Sequence, residues 1–377
     1  MIKIKTGGNA VLVGTLIPVG SRDEADSIKG VSHFCEHMLF KGTTTRSKDD
    51  LTRTVEQYGA QFNAWTSEEH TFYYMTISSK YRKVAREIID DMVHNSIFPA
   101  SEIDNEREVI IQELKMYQDN PQASVFEEAQ KSVFNKGSGL HIPVIGTKET
   151  LANISQQTLA HYYAQQYTKM VPIEVGDTDD ERNQIILPNK FARESQDFSQ
   201  ADHIVSRQGI TQANMVLTGL MYQDTSRDLH KLRVLDAVMN GFQGRLFKTV
   251  REANHLVYHC SFNYQVFSCG TIQYWVYAAL NADKIQQARA LIINELTRPV
   301  SQEELDFSQS KLFGEHELAL DSKANIGRLL IGSLLNHYNY EELLTGYKNI
   351  TVSLNEINAF TLKANFSNSK LVAIVPA

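Results

Sequence analysis

The sequence predicts an α+β fold made of two duplicated units, each a mixed, largely antiparallel sheet with helices on one face. Three observations carry this. Strand-like alternation and helix-like periodicity succeed one another along the whole chain. The length, 377 residues with 42% apolar, is comfortable for two cores. Weak echoes also recur in the same order at nearly one offset. Ser21-Arg22-Asp23 returns as Ser226-Arg227-Asp228, Phe98-Pro99-Ala100-Ser101 as Arg298-Pro299-Val300-Ser301, and the helix after Ser155 as the one after Ser353. The polar stretch 177–202 reads as the linker, with domains at 1–180 and 200–377.

Asn9 to Val19 reads as a strand and Val31 to Phe40 as a helix. Lys48 to Tyr58 is an amphipathic helix with Ser47 as N-cap and Gly59 as its stop. Gln61 to Ser78, rich in Phe, Tyr, Trp and Thr, reads as two strands meeting near Ser67-Glu68-Glu69. Tyr81 to Ser96 is the next helix. Ser101 is expected to cap another, from Glu102 to Tyr117, with acidic residues in its first turn. A helix from Ser155 to Tyr167 leads into a strand ending at Gly176. Pro172 within that strand predicts an edge position, because proline cannot donate to a ladder.

Composition excludes several classes. A net charge of −7 leaves no basic stripe to neutralise phosphates, so no nucleic-acid partner is expected. No apolar run is long enough to span a bilayer, so no membrane partner is expected. Cys35, Cys260 and Cys269 fit neither a disulfide scaffold nor a zinc ribbon. The N-terminus shows neither a signal core nor a transit segment, and a cytoplasmic location is the expectation.

The chemistry concentrates in His33-Phe34-Cys35-Glu36-His37. Residues four apart on a helix project from one face, one turn apart, so both imidazoles can reach one Zn²⁺. Glu36 borders that face, where a general base for water would stand. Such a His pair also occurs on solvated helix faces. Here the flanks Val31, Phe34, Met38, Leu39 and Phe40 are apolar, and burying two histidines with a carboxylate needs a compensating ion. Cys35 points away and reads as core packing. A hydrolytic zinc usually has a third protein ligand. Glu106, Glu108 and Glu113 are candidates. Glu106 and Glu113 share a helix face, so one can ligate while the other orients a histidine.

The stretch Gly30-Val31-Ser32-His33-Phe34-Cys35-Glu36-His37-Met38-Leu39-Phe40-Lys41-Gly42-Thr43 resembles the signature of the inverted-zincin M16 (pitrilysin) peptidases, nearest the mitochondrial processing peptidase-like branch. The resemblance spans nearly the whole chain. It implies a third ligand 76 positions after the second histidine, which is Glu113, and a supporting acid seven residues earlier, which is Glu106. It also implies a zinc-dependent endopeptidase whose peptide substrate is enclosed between facing halves, hence a clamshell homodimer. Asn63-Ala64-Trp65-Thr66-Ser67 is similar to the family's edge strand, so Asn63 and Ala64 are implied to bind peptide. Gly244-Arg245-Leu246-Phe247 and the stretch from Arg251 to Tyr258 resemble its Arg/Tyr element, implying that Arg251 and Tyr258 contact substrate and the developing oxyanion. Glu127 falls near an acid that reads a substrate Arg in some relatives. The position four earlier is Ala123, which argues against a strong Arg preference. Asn240 to Gly244, the region matching the zinc helix, carries no ligand set, so one metal per chain is expected. The competing reading is a non-catalytic M16-like subunit acting in binding or assembly.

Overall fold

The computed structural model describes residues 1–183, 185–195, 202–336, 340, 344 and 351–377. They form two compact units. The first contains 1–116, 136–188 and 319–335; the second contains 117–135, 189–318 and 336–377. The contiguous halves expected from the sequence therefore each take a segment from the other's stretch of chain.

The first unit is built on a six-stranded sheet of β1 (Ile2–Lys5), β2 (Ala10–Ile17), β3 (Gln61–Thr66), β4 (Thr71–Ser78), β5 (Val171–Gly176) and β6 (Glu181–Arg182), in the order β3-β4-β2-β5-β1-β6. The second has β7 (His203–Arg207), β8 (Ala213–Tyr222), β9 (Val257–Val266), β10 (Thr271–Leu280) and β11 (Lys370–Pro376), in the order β9-β10-β8-β11-β7. The two orders coincide strand for strand over five positions. So do the directions: β1 runs parallel to β5 and β7 parallel to β11, while the other shared pairs are antiparallel. The duplication read from three short echoes is thus present as two copies of one topology.

Helices α1 (Val31–Leu39), α2 (Lys48–Gln57), α3 (Arg82–Asn95) and α4 (Ala100–Asp119) follow in the first half. Successive strand side chains alternate between faces. Val11, Val13 and Ile17 of β2 pack with Val31, Phe34, Cys35 and Met38 of α1 and Ile88 and Met92 of α3 in one buried cluster. Burying each large side chain there contributes about 1.5–3 kcal/mol. Leu12 points the other way, and that face is not bare. There α11 (Lys323–Leu335) lies on β2 and β5, its Gly327 against Leu12. In the second unit α5 (Pro121–Val133) takes the same place on β8 and β11, its Val125 and Ala129 packing with Val216, Val372 and Ile374.

Several local expectations hold in detail. Ser47 caps α2 by accepting from the Asp50 N–H, and Gly59 adopts φ +60° beyond its end. The helices expected after Ser155 and Ser353 are α7 (Gln156–Gln166) and α12 (Leu354–Lys363), and the structure adds that each serine caps its helix. Ser101 does not cap α4: the helix already begins at Ala100, so Ser101 lies within its first turn. Pro172 does not mark an edge either. Strand β5 sits between β2 and β1, but pairing with β1 begins only at Ile173, so the missing N–H breaks nothing on that side.

Candidate metal centre

Gly30 turns the chain into α1 with φ +94°, and a Cβ there would lie 2.6 Å from the Ile145 carbonyl oxygen, so only glycine fits. The helix buries Phe34, Cys35, Met38 and Leu39 and presents His33 and His37 on its other side, ring centroids 4.5 Å apart. Helix α4 runs alongside, with the Arg107 guanidinium 5.4 Å from the Phe34 ring centroid. This packing brings Glu113 Oε2 to 3.7 Å from Nε2 of both His33 and His37. One donor atom from each of the three residues lies within 4.8 Å of the others.

These residues fit zinc. Two imidazole nitrogens and one carboxylate oxygen are a usual catalytic donor set, and tetrahedral bonds of about 2.0–2.2 Å put ligand atoms roughly 3.4 Å apart. The observed spacings are slightly wider. The histidine faces are also sorted. His37 Nδ1–H donates to Glu106 Oε1 at 2.8 Å, leaving Nε2 for the metal. His33 Nδ1 is buried without a partner, and its Nε2 is the nitrogen beside Glu113. Burial, and then the neighbouring His37, push the His33 imidazole down to about 3, so it stays neutral and available as a ligand.

Glu106 and Glu113 thus stand in different places: Glu113 lies among the candidate donor atoms and Glu106 behind His37. Burial works against the Glu106 carboxylate, but bonds from His37 and Lys41 outweigh it and hold the group below its ordinary range. Lys41, on the turn after α1, grips the second oxygen of Glu106. Glu36 is buried beside the donor set and accepts from the Thr66 hydroxyl of β3. Burial, the largest influence, raises its carboxyl above 4.5 despite the Thr66 bond. Lys41 and Thr66 were given no role by sequence reasoning, although both lie in stretches it singled out. Cys35 is fully buried, its thiol pushed up to about 12, and serves as packing.

Asn63 and Ala64 lie on β3, the edge strand of the first sheet. The Asn63 side-chain carbonyl accepts the Ala64 N–H at 2.9 Å, so that donor is covered by its own neighbour. The other named residues belong to the second unit. Arg251 stands in a π-helical turn, Phe247–Ala253, with its guanidinium 4.8 Å from the Phe247 ring and 4.9 Å from the Tyr258 ring. Tyr258 is 80% exposed. His255, between them, adopts φ +50°. Arg245 is structural: it is buried, paired with Glu304 and bonded to three carbonyls of 295–299. Glu127, on α5, is ion-paired with Lys131 one turn on, so its carboxylate is already engaged.

A duplicated α+β scaffold, with an inverted His-x-x-Glu-His helix and a distant glutamate completing one donor set, defines a candidate metallopeptidase-type centre. Comparison with known proteins agrees. Residues 1–148 match "Insulinase (Peptidase family M16)" and residues 153–312 match "Peptidase M16 inactive domain". An uncharacterized zinc protease of Rickettsia bellii is 31% identical over 84% of this chain and 80% of its own. The uncharacterized zinc protease YmxG of Bacillus subtilis is 29% identical over 94% of this chain and 88% of its own. Among solved structures, a protease from Helicobacter pylori shares the fold with a TM-score of 0.87 at 16% identity, over 99% of this chain and 96% of that one. The chain belongs to the M16 peptidase family.

Proposed function

We propose that the protein is a zinc-dependent endopeptidase that cleaves peptides or unfolded segments, with His33, His37 and Glu113 holding the metal. The observation that carries this is Glu36: a buried carboxylate beside a donor set of two imidazoles and a carboxylate, with no metal-ligand role left for it. Zinc bound there supplies Lewis acidity, polarising the scissile carbonyl and the attacking water. Glu36, anchored at Oε2 by Thr66, takes the water proton on its carboxylate and delivers it to the leaving amine nitrogen. Its raised affinity for protons suits both steps. Lys41 and Glu106 hold the His37 imidazole in the tautomer that keeps Nε2 unprotonated. Strand β3 offers an extended substrate an unpaired edge, and a peptide carbonyl displaces Asn63 from the Ala64 N–H.

The finer arrangement belongs to the same proposal. Two copies of the chain enclose the peptide, and Arg251 and Tyr258 of one serve the zinc centre of the other by stabilising negative charge on the former carbonyl oxygen. A non-catalytic role loses support because the donor set and base are intact. A quenched-peptide assay with and without chelator tests the activity: cleavage should vanish on chelation and return with zinc. Mixing Arg251→Ala with Glu36→Gln tests the sharing. Recovery of up to about a quarter of wild-type activity is the expected result of random pairing, and no recovery under exchange conditions would show that each chain works alone.

A further inference from the structure

Helix α1 places His33 in its first turn, where the unpaired N–H groups carry partial positive charge. That end of a helix disfavours a cation. Gly30, at the cap position, has no side chain to satisfy those donors. Glu24 reaches in instead. Its Oε2 accepts the Gly30 N–H at 2.8 Å and its Oε1 the Ser32 N–H at 2.7 Å. A neutral serine or asparagine could cap a helix without desolvating a charge. Glu24 is buried, and burial lifts its carboxyl to about 7, against the bonds from Ser32 and Gly30 and the nearby Lys29 ammonium.

The segment carrying Glu24 is held firmly. Ser21 N–H and Arg22 N–H donate to the carbonyls of Ser67 and Glu68 in the β3–β4 turn. Arg22 pairs with buried Glu69 at 2.7 Å, and Lys29 Nζ donates to the Ser21 carbonyl at 2.8 Å. The carboxylate is therefore positioned before any metal arrives.

We infer that Glu24 is a positioning residue for the metal: its buried carboxylate neutralises the amino end of α1 and fixes the first turn, so that His33 can hold a cation there. The inference rests on the zinc reading given above. Its test is zinc affinity by competition with a chromophoric chelator, paired with thermal unfolding of the metal-free chain. Glu24→Gln keeps the shape, removes the charge and offers one acceptor instead of two. It should weaken zinc about tenfold while the metal-free Tm stays within a few degrees. Tyr162→Phe is the structural control. It removes the hydroxyl 2.6 Å from Ser32 Oγ at the same helix end and leaves the charge in place. Its Tm should fall and its zinc affinity stay within twofold.

Equal affinity of Glu24→Gln and wild type overturns the inference, as does an equal loss in both variants. If Glu24→Gln does not fold, Glu24→Asp, which keeps the charge, decides: affinity within fivefold of wild type supports the inference, and a larger loss overturns it. Wild-type chain that binds no zinc would instead overturn the metal reading itself.

Discussion

In the first unit, the helix that follows β2 carries two histidines and receives glutamates from α4. In the second unit, the helix that follows β8 is α8 (Asp228–Met239), not the stretch Asn240–Gly244 expected to match, which lies beyond its end; α8 spends its face on Leu232, Leu235, Val238 and Met239 in the core. The long helices differ in the same way. Helix α4 sends Glu113 to the two histidine Nε2 atoms and Glu106 to His37 Nδ1, whereas α10 (Gln302–Ala319) uses Glu304 to hold the buried Arg245 guanidinium. Strand order and direction are common to both. The scaffold therefore tolerates either content, and a handful of side chains on two helices separates a candidate metal centre from a packed core. Among the described residues, the single group of three His, Cys, Asp or Glu able to hold a metal is His33, His37 and Glu113.

The sharpest way to break that contrast is to remove a ligand. Glu113→Ala or His33→Ala should lower bound zinc from about one per chain to below roughly a tenth and abolish cleavage. Elemental analysis of the purified variants checks it, and zinc retained near one per chain would place the metal elsewhere. A smaller effect is expected from the supporting pair. Glu106→Gln should cost roughly 10–100-fold in zinc affinity or activity, and Lys41→Met less, both read by chelator competition.

A third expectation concerns stability. The folded chain holds the Glu36 proton where the unfolded chain releases it, since burial raises the carboxyl above 4.5. Its contribution is therefore full below about pH 4.5 and lost as pH rises through the raised value. Metal-free Glu36→Gln, with no charge to bury, should melt a few degrees above metal-free wild type at pH 7, with the gap closing toward pH 4. The smallest effect on the metal belongs to Cys35→Ser. A buried hydroxyl costs about 1–3 kcal/mol, so Tm should fall while zinc stoichiometry stays unchanged.

How much of this was legible in the sequence depends on range. The His33–His37 pair, the Ser47 cap, the helix after Ser155 and the β3–β4 hairpin are local patterns, and each stands where its spacing put it. Spacing left Glu106 and Glu113 interchangeable, because residues seven apart share a face. The resemblance assigned them, and the approach of α4 to α1 decides between them. Lys41, Thr66 and Glu24 have no periodic or motif signal of their own. Their roles exist only once a turn, an edge strand and a loop meet the helix. Pro172 misled for the same reason: its tolerance depends on where β1 begins to pair, about 170 residues away in the chain. The exchanged segments around α5 and α11 were illegible too, since amphipathic helices do not declare which sheet they cover.

The central claim is that the first unit binds one zinc per chain and that Glu36, rather than any second-unit group, moves the proton. The most direct measurement takes Glu36→Gln and wild type side by side through elemental analysis and a quenched-peptide assay. The expected result is about one zinc per chain in both and cleavage by the variant reduced at least about a thousandfold. Zinc present in both with cleavage within tenfold of wild type would contradict it.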